Sequence, residues 1–407
     1  MKYSTAFSPA DILIPQGIDM EKWAVVACDQ FTSQREYWEQ TADIAKGAPS
    51  ALNIILPEVY LNDADADERI EKINSEMKKY LADGIFKEYK DTFIYVRRTD
   101  STGKVREGLV GKIDLEQYDY NKGSTTPVRA TEATVAERIP PRLRVRKNAD
   151  LELPHIMILI DDPGRTVIEP LAEKVSQKVY SFDLMQKGGH IEGYLADGEA
   201  AVHIDKALAA LSEKSPLLYA MGDGNHSLAT AKAHYEQLKK DNPGKDLFDH
   251  PARYALCEIV NLHSPALEFE AIHRIITDVD AADLISSMKE KLGLSEAGSG
   301  QQFRLVSADE DKLYTVTRPT SNLCVGSVQM FIDEYLRAHG GAVDYIHGTD
   351  TVLDLVKKGG IGIILPDMAK EDLFPTVIND GALPRKTFSM GHAEDKRYYV
   401  EARRITL

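Results

Sequence analysis

Hydrophobic and polar positions divide this chain into short elements of alternating type. Residues 23–28 are an apolar run of strand length, followed by the polar stretch Asp29-Gln30-Phe31-Thr32-Ser33. Ile70, Ile73, Met77, Tyr80 and Leu81 recur at helical spacing while Glu68, Lys72 and Lys79 turn to the other face, which predicts a helix starting near Asp65. The acidic residues around Asp63, Asp65 and Asp67 suit the start of that helix. Residues 93–97 and 105–113 flank Asp100-Ser101-Thr102-Gly103 and predict a hairpin. Residues 153–160 and 216–221 are apolar enough for fully buried strands, and residues 253–260, 313–317, 362–365 and 397–402 add further strands. Helical patterns cover residues 167–179, 199–211, 229–238, 282–292, 328–338 and 352–358. Strands and helices mixed in this way predict an α/β or α+β protein.

Composition narrows the function classes. The 407 residues are 43% hydrophobic and 28% charged, with a formal net charge of −15. That balance gives ample core and argues against a nucleic-acid-coating surface, which needs positive charge facing phosphates. Cys28, Cys257 and Cys324 are too scattered for a zinc site or a disulfide framework, so reduced thiols in a cytoplasmic protein are expected. The first residues carry Pro9 and Pro15 rather than a basic segment and an apolar run, and no apolar stretch is long enough to span a bilayer. No nucleic-acid or membrane partner is expected; the expected partner is a small molecule, and a homodimer is a further expectation.

Residues 122–150 reverse the local charge. Arg129, Arg138, Arg142, Arg144, Arg146 and Lys147 cluster around Pro140-Pro141, and this stretch reads as an irregular loop and a candidate anion site. The sharpest signal follows residues 216–221. The chain turns abruptly polar at Gly222-Asp223-Gly224-Asn225-His226-Ser227, then passes into helix formers. A strand C-terminus meets a helix N-terminus there, where unpaired N–H groups and the helix dipole favour anions. The glycines allow φ > 0 or close approach to a ligand. Asp223 can orient a hydroxyl or hold magnesium, and His226 can donate to a phosphate or move a proton near neutral pH. The same residues also suit a plain turn, with Ser227 as a helix cap. The loop fits neither the Walker nor the dinucleotide glycine spacing.

Asp-Gly-x-His after a buried strand resembles the Asp-Gly-His-His-Arg signature of the ParB/sulfiredoxin superfamily, which includes free serine kinases. The wider chain resembles the family called domain of unknown function 1015. The family's His-Glu-x-Thr motif corresponds to Thr131-Glu132-Ala133-Thr134, where glutamate and threonine are kept and histidine is not. Its following arginine corresponds to Arg142, its Thr-His-Arg segment to Ile272-His273-Arg274, and its Pro-x-Lys-Ser/Thr to Pro384-Arg385-Lys386-Thr387. Asn225 stands where the signature has histidine, and Ser227 where it has arginine, which removes a bidentate phosphate clamp.

The resemblance implies a ParB/sulfiredoxin-like catalytic core with added α/β elements. Residues 1–265 would hold that core, and residues 266–407 a C-terminal α/β lobe lending basic residues to the site. It implies phosphoryl transfer to a small hydroxylated molecule, free L-serine first, with Mg2+ and ATP, ADP or pyrophosphate. Glu132, Asp223 and His226 are then the candidate catalytic residues. Gly222, Gly224, Asn225, Ser227, Thr134, Arg142, His273, Arg274 and Lys386 are the candidate phosphate or substrate ligands. Two alternatives stay open: a nucleotide-binding or nucleotide-hydrolysing regulator of the ParB-like type, and a metal-dependent hydrolase using Asp161 and Asp162.

Overall fold

The computed structural model describes residues 3–407. It is a mixed α/β fold in two units, one of residues 1–267 with 392–407 and one of residues 268–391. The chain therefore crosses between units twice. Residues 392–407, expected in the C-terminal lobe, belong to the first unit.

The first unit is organised by one large sheet. Besides the two-residue strands Phe7–Ser8 and Tyr118–Asp119, its strands in chain order are β1 (Ala10–Pro15), β2 (Phe86–Thr99), β3 (Val105–Asp114), β4 (Val128–Arg129), β5 (Met157–Ile160), β6 (Lys178–Leu184), β7 (Gly189–Ala196), β8 (Tyr219–Asp223) and β9 (Tyr254–Asn261). Across the sheet they run β4-β8-β5-β9-β3-β2-β7-β6, with β1 paired to β2. The β2–β3 hairpin forms where alternation predicts it, and Gly103 in its turn has φ +87°. β4 lies parallel to β8, with Tyr219 opposite Val128, so both strands end at one edge of the sheet. β5 is antiparallel to β8, so residues just before β5 reach that same edge. Ile156, Ile158, Ile160, Met221, Leu228 and Tyr235 belong to one buried cluster on this part of the sheet.

Four helices matter for the site: α1 (Ala66–Ala82), α2 (Ile139–Arg146), α3 (Gly198–Ser212) and α4 (Asn225–Asp241). Ile70, Ile73, Met77 and Tyr80 are the buried face of α1, as their spacing predicts. Composition points to an irregular loop over residues 122–150, but the structure forms β4 and α2 there. Pro140 and Pro141 do not prevent this, because they occupy the first helical turn, where an N–H has no intrahelical partner to lose. The helical pattern over residues 167–179 gives only a 3-10 turn, Glu169–Glu173, before β6 begins. Residues 397–402 form isolated bridges rather than a regular strand, Tyr398 with Val26 and Ala402 with Leu13. Burial there comes with charge. Arg397 lies between Glu258 and Glu401, at 2.8 and 2.7 Å, and all three are buried.

In the second unit Phe269–Thr277 lies between Ala342–His347 and Ile361–Ile364, antiparallel to both. Gln302–Val306 and Asp311–Val316 extend the sheet. Helices Ala281–Leu292, Cys324–His339 and Thr349–Val356 lie where helical spacing predicts them. Among the described residues no helix is long and apolar enough to cross a membrane.

Candidate anion and proton-transfer site

The polar loop lies at the edge where β4 and β8 end. β8 runs through Gly222 to Asp223, and Gly224 then turns left-handed, with φ +79° and ψ 27°, before α4 begins. A side chain at 224 would be strained by that φ, and its Cβ would lie 3.1 Å from the Ile156 Cα. No side chain caps α4. The N–H groups of its first turn, on Asn225, His226 and Ser227, therefore lack the intrahelical acceptor that later residues have. Ser227 is not the cap that its residue type suggests; its Oγ lies 3.0 Å from His155 Nε2 instead.

Asp223 is held by two groups. Its Oδ1 accepts from Gly224 N–H at 2.9 Å, and its Oδ2 lies 3.2 Å from Lys396 Nζ. Burial raises the Asp223 carboxyl, but Lys396, His155 and the Gly224 N–H outweigh it and hold it below the usual carboxylate range. Lys396 carries no motif in the sequence. It arrives because residues 397 and 399 bond along residues 25–27, and because the buried Arg98 donates to the Lys396 and Glu394 carbonyls.

The segment after β4 is tied along the loop at two points. Thr131 Oγ1 donates to the Met221 carbonyl at 2.7 Å, and Val135 N–H donates to His226 Nε2 at 3.4 Å. Glu132 and Thr134 lie between these ties. Thr134 Oγ1 and Asn225 Oδ1 are buried polar atoms without a hydrogen-bond partner. Burial, then the positive charges of Arg142 and Arg138, lower His226 to about 4, against an opposing pull from Asp29. His226 is thus neutral at pH 7 rather than poised to titrate there. With Nε2 accepting, Nδ1 carries the proton and can donate.

A second layer escapes sequence reading. His155, just before β5, is engaged at both nitrogens: Nδ1 lies 2.6 Å from the Tyr399 hydroxyl, and Nε2, hydrogen-bonded to Ser227 Oγ, also faces Asp29 Oδ2 at 3.6 Å. Tyr399 in turn accepts from Cys28 N–H at 3.1 Å. In the sequence Asp29 belongs only to the polar stretch after residues 23–28, Tyr399 to the predicted strand 397–402, and Lys396 to no pattern. The following helix, Arg35–Ala45, begins too late for Asp29 to cap it. Nothing in the linear spacing brings residues 29, 155, 223 and 396 together.

The basic residues divide. Arg142 reaches this neighbourhood but is already engaged: Glu58 Oε1 accepts from its Nε at 2.7 Å, and its NH1 donates to the Arg138 carbonyl. The cation in contact with the loop is Lys396. In the second unit, His273 Nδ1 accepts from Leu365 N–H at 3.2 Å, and Arg274, fully buried, donates to Gln329 Oε1, the Ile272 carbonyl and the Arg385 carbonyl. Those contacts are internal to that unit. Lys386 is exposed, with φ +55°. Among the described residues no group of three or more His, Cys, Asp or Glu side chains is arranged to hold a metal ion.

A family model described as "Protein of unknown function (DUF1015)" matches residues 13–335. No curated protein matches the chain. Among solved structures, a mutant free serine kinase in complex with AMP is similar at 12% identity and a TM-score of 0.40, covering 73% of this chain and 91% of that one. A mutant free serine kinase in complex with ADP gives 13% and 0.40, covering 75% and 93%. SbnI from Staphylococcus aureus, with a C-terminal truncation, gives 9% and 0.37, covering 69% and 82%.

Proposed function

This chain belongs to the DUF1015 family, and we propose that it is a phosphotransferase that moves a phosphoryl group onto the hydroxyl of a small molecule. The observation that carries this reading is the α4 N-terminus. Its uncapped first turn, opened by a left-handed Gly224, adjoins the Asp223–Lys396 pair and the segment that carries the buried, unpartnered Thr134 hydroxyl. Such a place stabilises phosphate oxygens through backbone N–H groups and the helix dipole, with the Asp223-paired Lys396 ammonium as a further donor.

In this reading the donor's terminal phosphate lies on the 222–227 loop. The N–H groups of Asn225, His226 and Ser227 bond its oxygens, and His226 Nδ1–H adds a neutral donor. Lys396 offsets the charge while Asp223 keeps its Nζ in place. Glu132 accepts the proton of the attacking hydroxyl as the new O–P bond forms and the bond to the leaving phosphate or nucleotide breaks. Magnesium would enter with the polyphosphate, which needs only one or two protein carboxylates, and Asp223 or Asp29 fits that role. Bound there, it would offset phosphate charge. Arg142, paired with Glu58, contributes field rather than a free fork.

Free L-serine is the first acceptor to assay, on the motif resemblance. Incubation with serine, Mg2+ and ATP, ADP or pyrophosphate should yield phosphoserine, and substituting Glu132 should remove most of it. Nucleotide binding without turnover on any acceptor would instead leave a nucleotide-binding regulator.

A further inference from the structure

A cavity of about 160 Å³, partly open to solvent, adjoins the 222–227 loop. That is smaller than the roughly 300–1,000 Å³ of a site that encloses a drug-sized ligand and close to the ~150 Å³ of an apolar cavity that takes one small hydrocarbon. Ser227, Thr230 and His155 contribute to its wall from the loop and its neighbours. Much of the remaining wall is aliphatic: Ile54, Leu56, Leu61, Met77, Leu151 and Leu256, all from one buried core cluster. The charges in the wall cancel in contact pairs. Arg142 meets Glu58 at 2.5 Å and Arg146 meets Glu152 at 2.6 Å, so the cavity selects neither sign. The Thr230 hydroxyl is spent on the His226 carbonyl at 2.7 Å. An aliphatic group seated here would leave water and gain dispersion contacts with these side chains.

We propose that the acceptor is an amphiphile, with its hydroxyl at the 222–227 loop and an aliphatic body in this cavity. The proposal rests on the phosphoryl-transfer reading of the loop. Serine, which has no apolar body, would engage the loop alone and turn over more slowly than an acceptor that also fills the cavity. A nucleobase is a weaker fit, because its polar edge would meet aliphatic side chains and charges already paired.

A series of n-alkyl phosphates, methyl to octyl, tests this by calorimetry on the intact chain. Each added methylene should tighten binding about fourfold until the cavity is filled. Leu153→Trp, which narrows the cavity, should cut the gain per methylene, with its melting temperature measured alongside. Methyl phosphate binding with no chain-length dependence overturns the amphiphile and leaves the phosphate reading intact. Hexanol binding without any response to methyl phosphate does the reverse. AMP binding more tightly than hexyl phosphate, and competing with it, also overturns the aliphatic occupant.

Discussion

Two stretches rich in candidate anion ligands reach opposite chemical states. In the second unit, His273 and Arg274 are buried and saturated: Arg274 spends its donors on two carbonyls and the Gln329 amide oxygen. In the first unit, the 222–227 loop keeps an uncapped helix terminus, and Asn225 and Thr134 carry buried oxygens that no protein group satisfies. Both stretches hold residues that correspond to family motifs in the sequence. The difference teaches that a basic residue marks an anion site only where the fold leaves its donors unspent. Arg274 is a strut for its own sheet and helix, whereas Lys396, which no motif marks, is the cation that the loop meets.

The largest effect should come from Glu132→Gln, which would lower kcat by about 10²–10⁴ if Glu132 takes the acceptor proton. Steady-state rates beside a melting curve decide the matter, since a loss confined to stability would make the glutamate a structural partner. Arg274→Ala should cost about 3 kcal/mol of stability, because it strips buried acceptors of a charged donor. Phosphate affinity per folded molecule should not change; a drop there would break the contrast between the two regions. Lys396→Met should weaken pyrophosphate binding roughly 10- to 100-fold, the worth of one charge-assisted hydrogen bond. Unchanged affinity would return the role to another cation.

The smallest effect concerns acid. His226 and His234 are both lowered to about 4 from 6.5, burial being the first cause in each. A depressed histidine means that the unfolded chain binds more protons, so stability is full above about 6.5 and is lost as pH falls toward 4. Partial exposure reduces the cost to about 1 kcal/mol apiece. Denaturant titrations at several pH values should show a shallower slope in His226→Asn. An unaltered slope would mean that the ring is solvated and Arg142 and Arg138 do not bear on it.

Elements whose signal is local were legible from the order of residues alone. The 3.6-residue spacing of Ile70, Ile73 and Met77 sets the buried face of α1, and the break from Met221 to Ser227 sets a strand end, a turn and a helix start. Composition also flagged the Gly-Asp-Gly turn, since a residue at φ +79° next to the Ile156 backbone has to be glycine. It misjudged residues 139–146, because prolines break helices in their interior but not in their first turn. Which charges meet the loop is a matter of tertiary folding. The pairings of Lys396 with Asp223 and of His155 with Asp29 and Tyr399 join residues far apart in the chain, and no spacing rule reaches across such gaps. Whether an arginine is free also depends on what surrounds it. Glu58 beside Arg142 and Gln329 beside Arg274 settle that question, and neither is legible until the chain has folded.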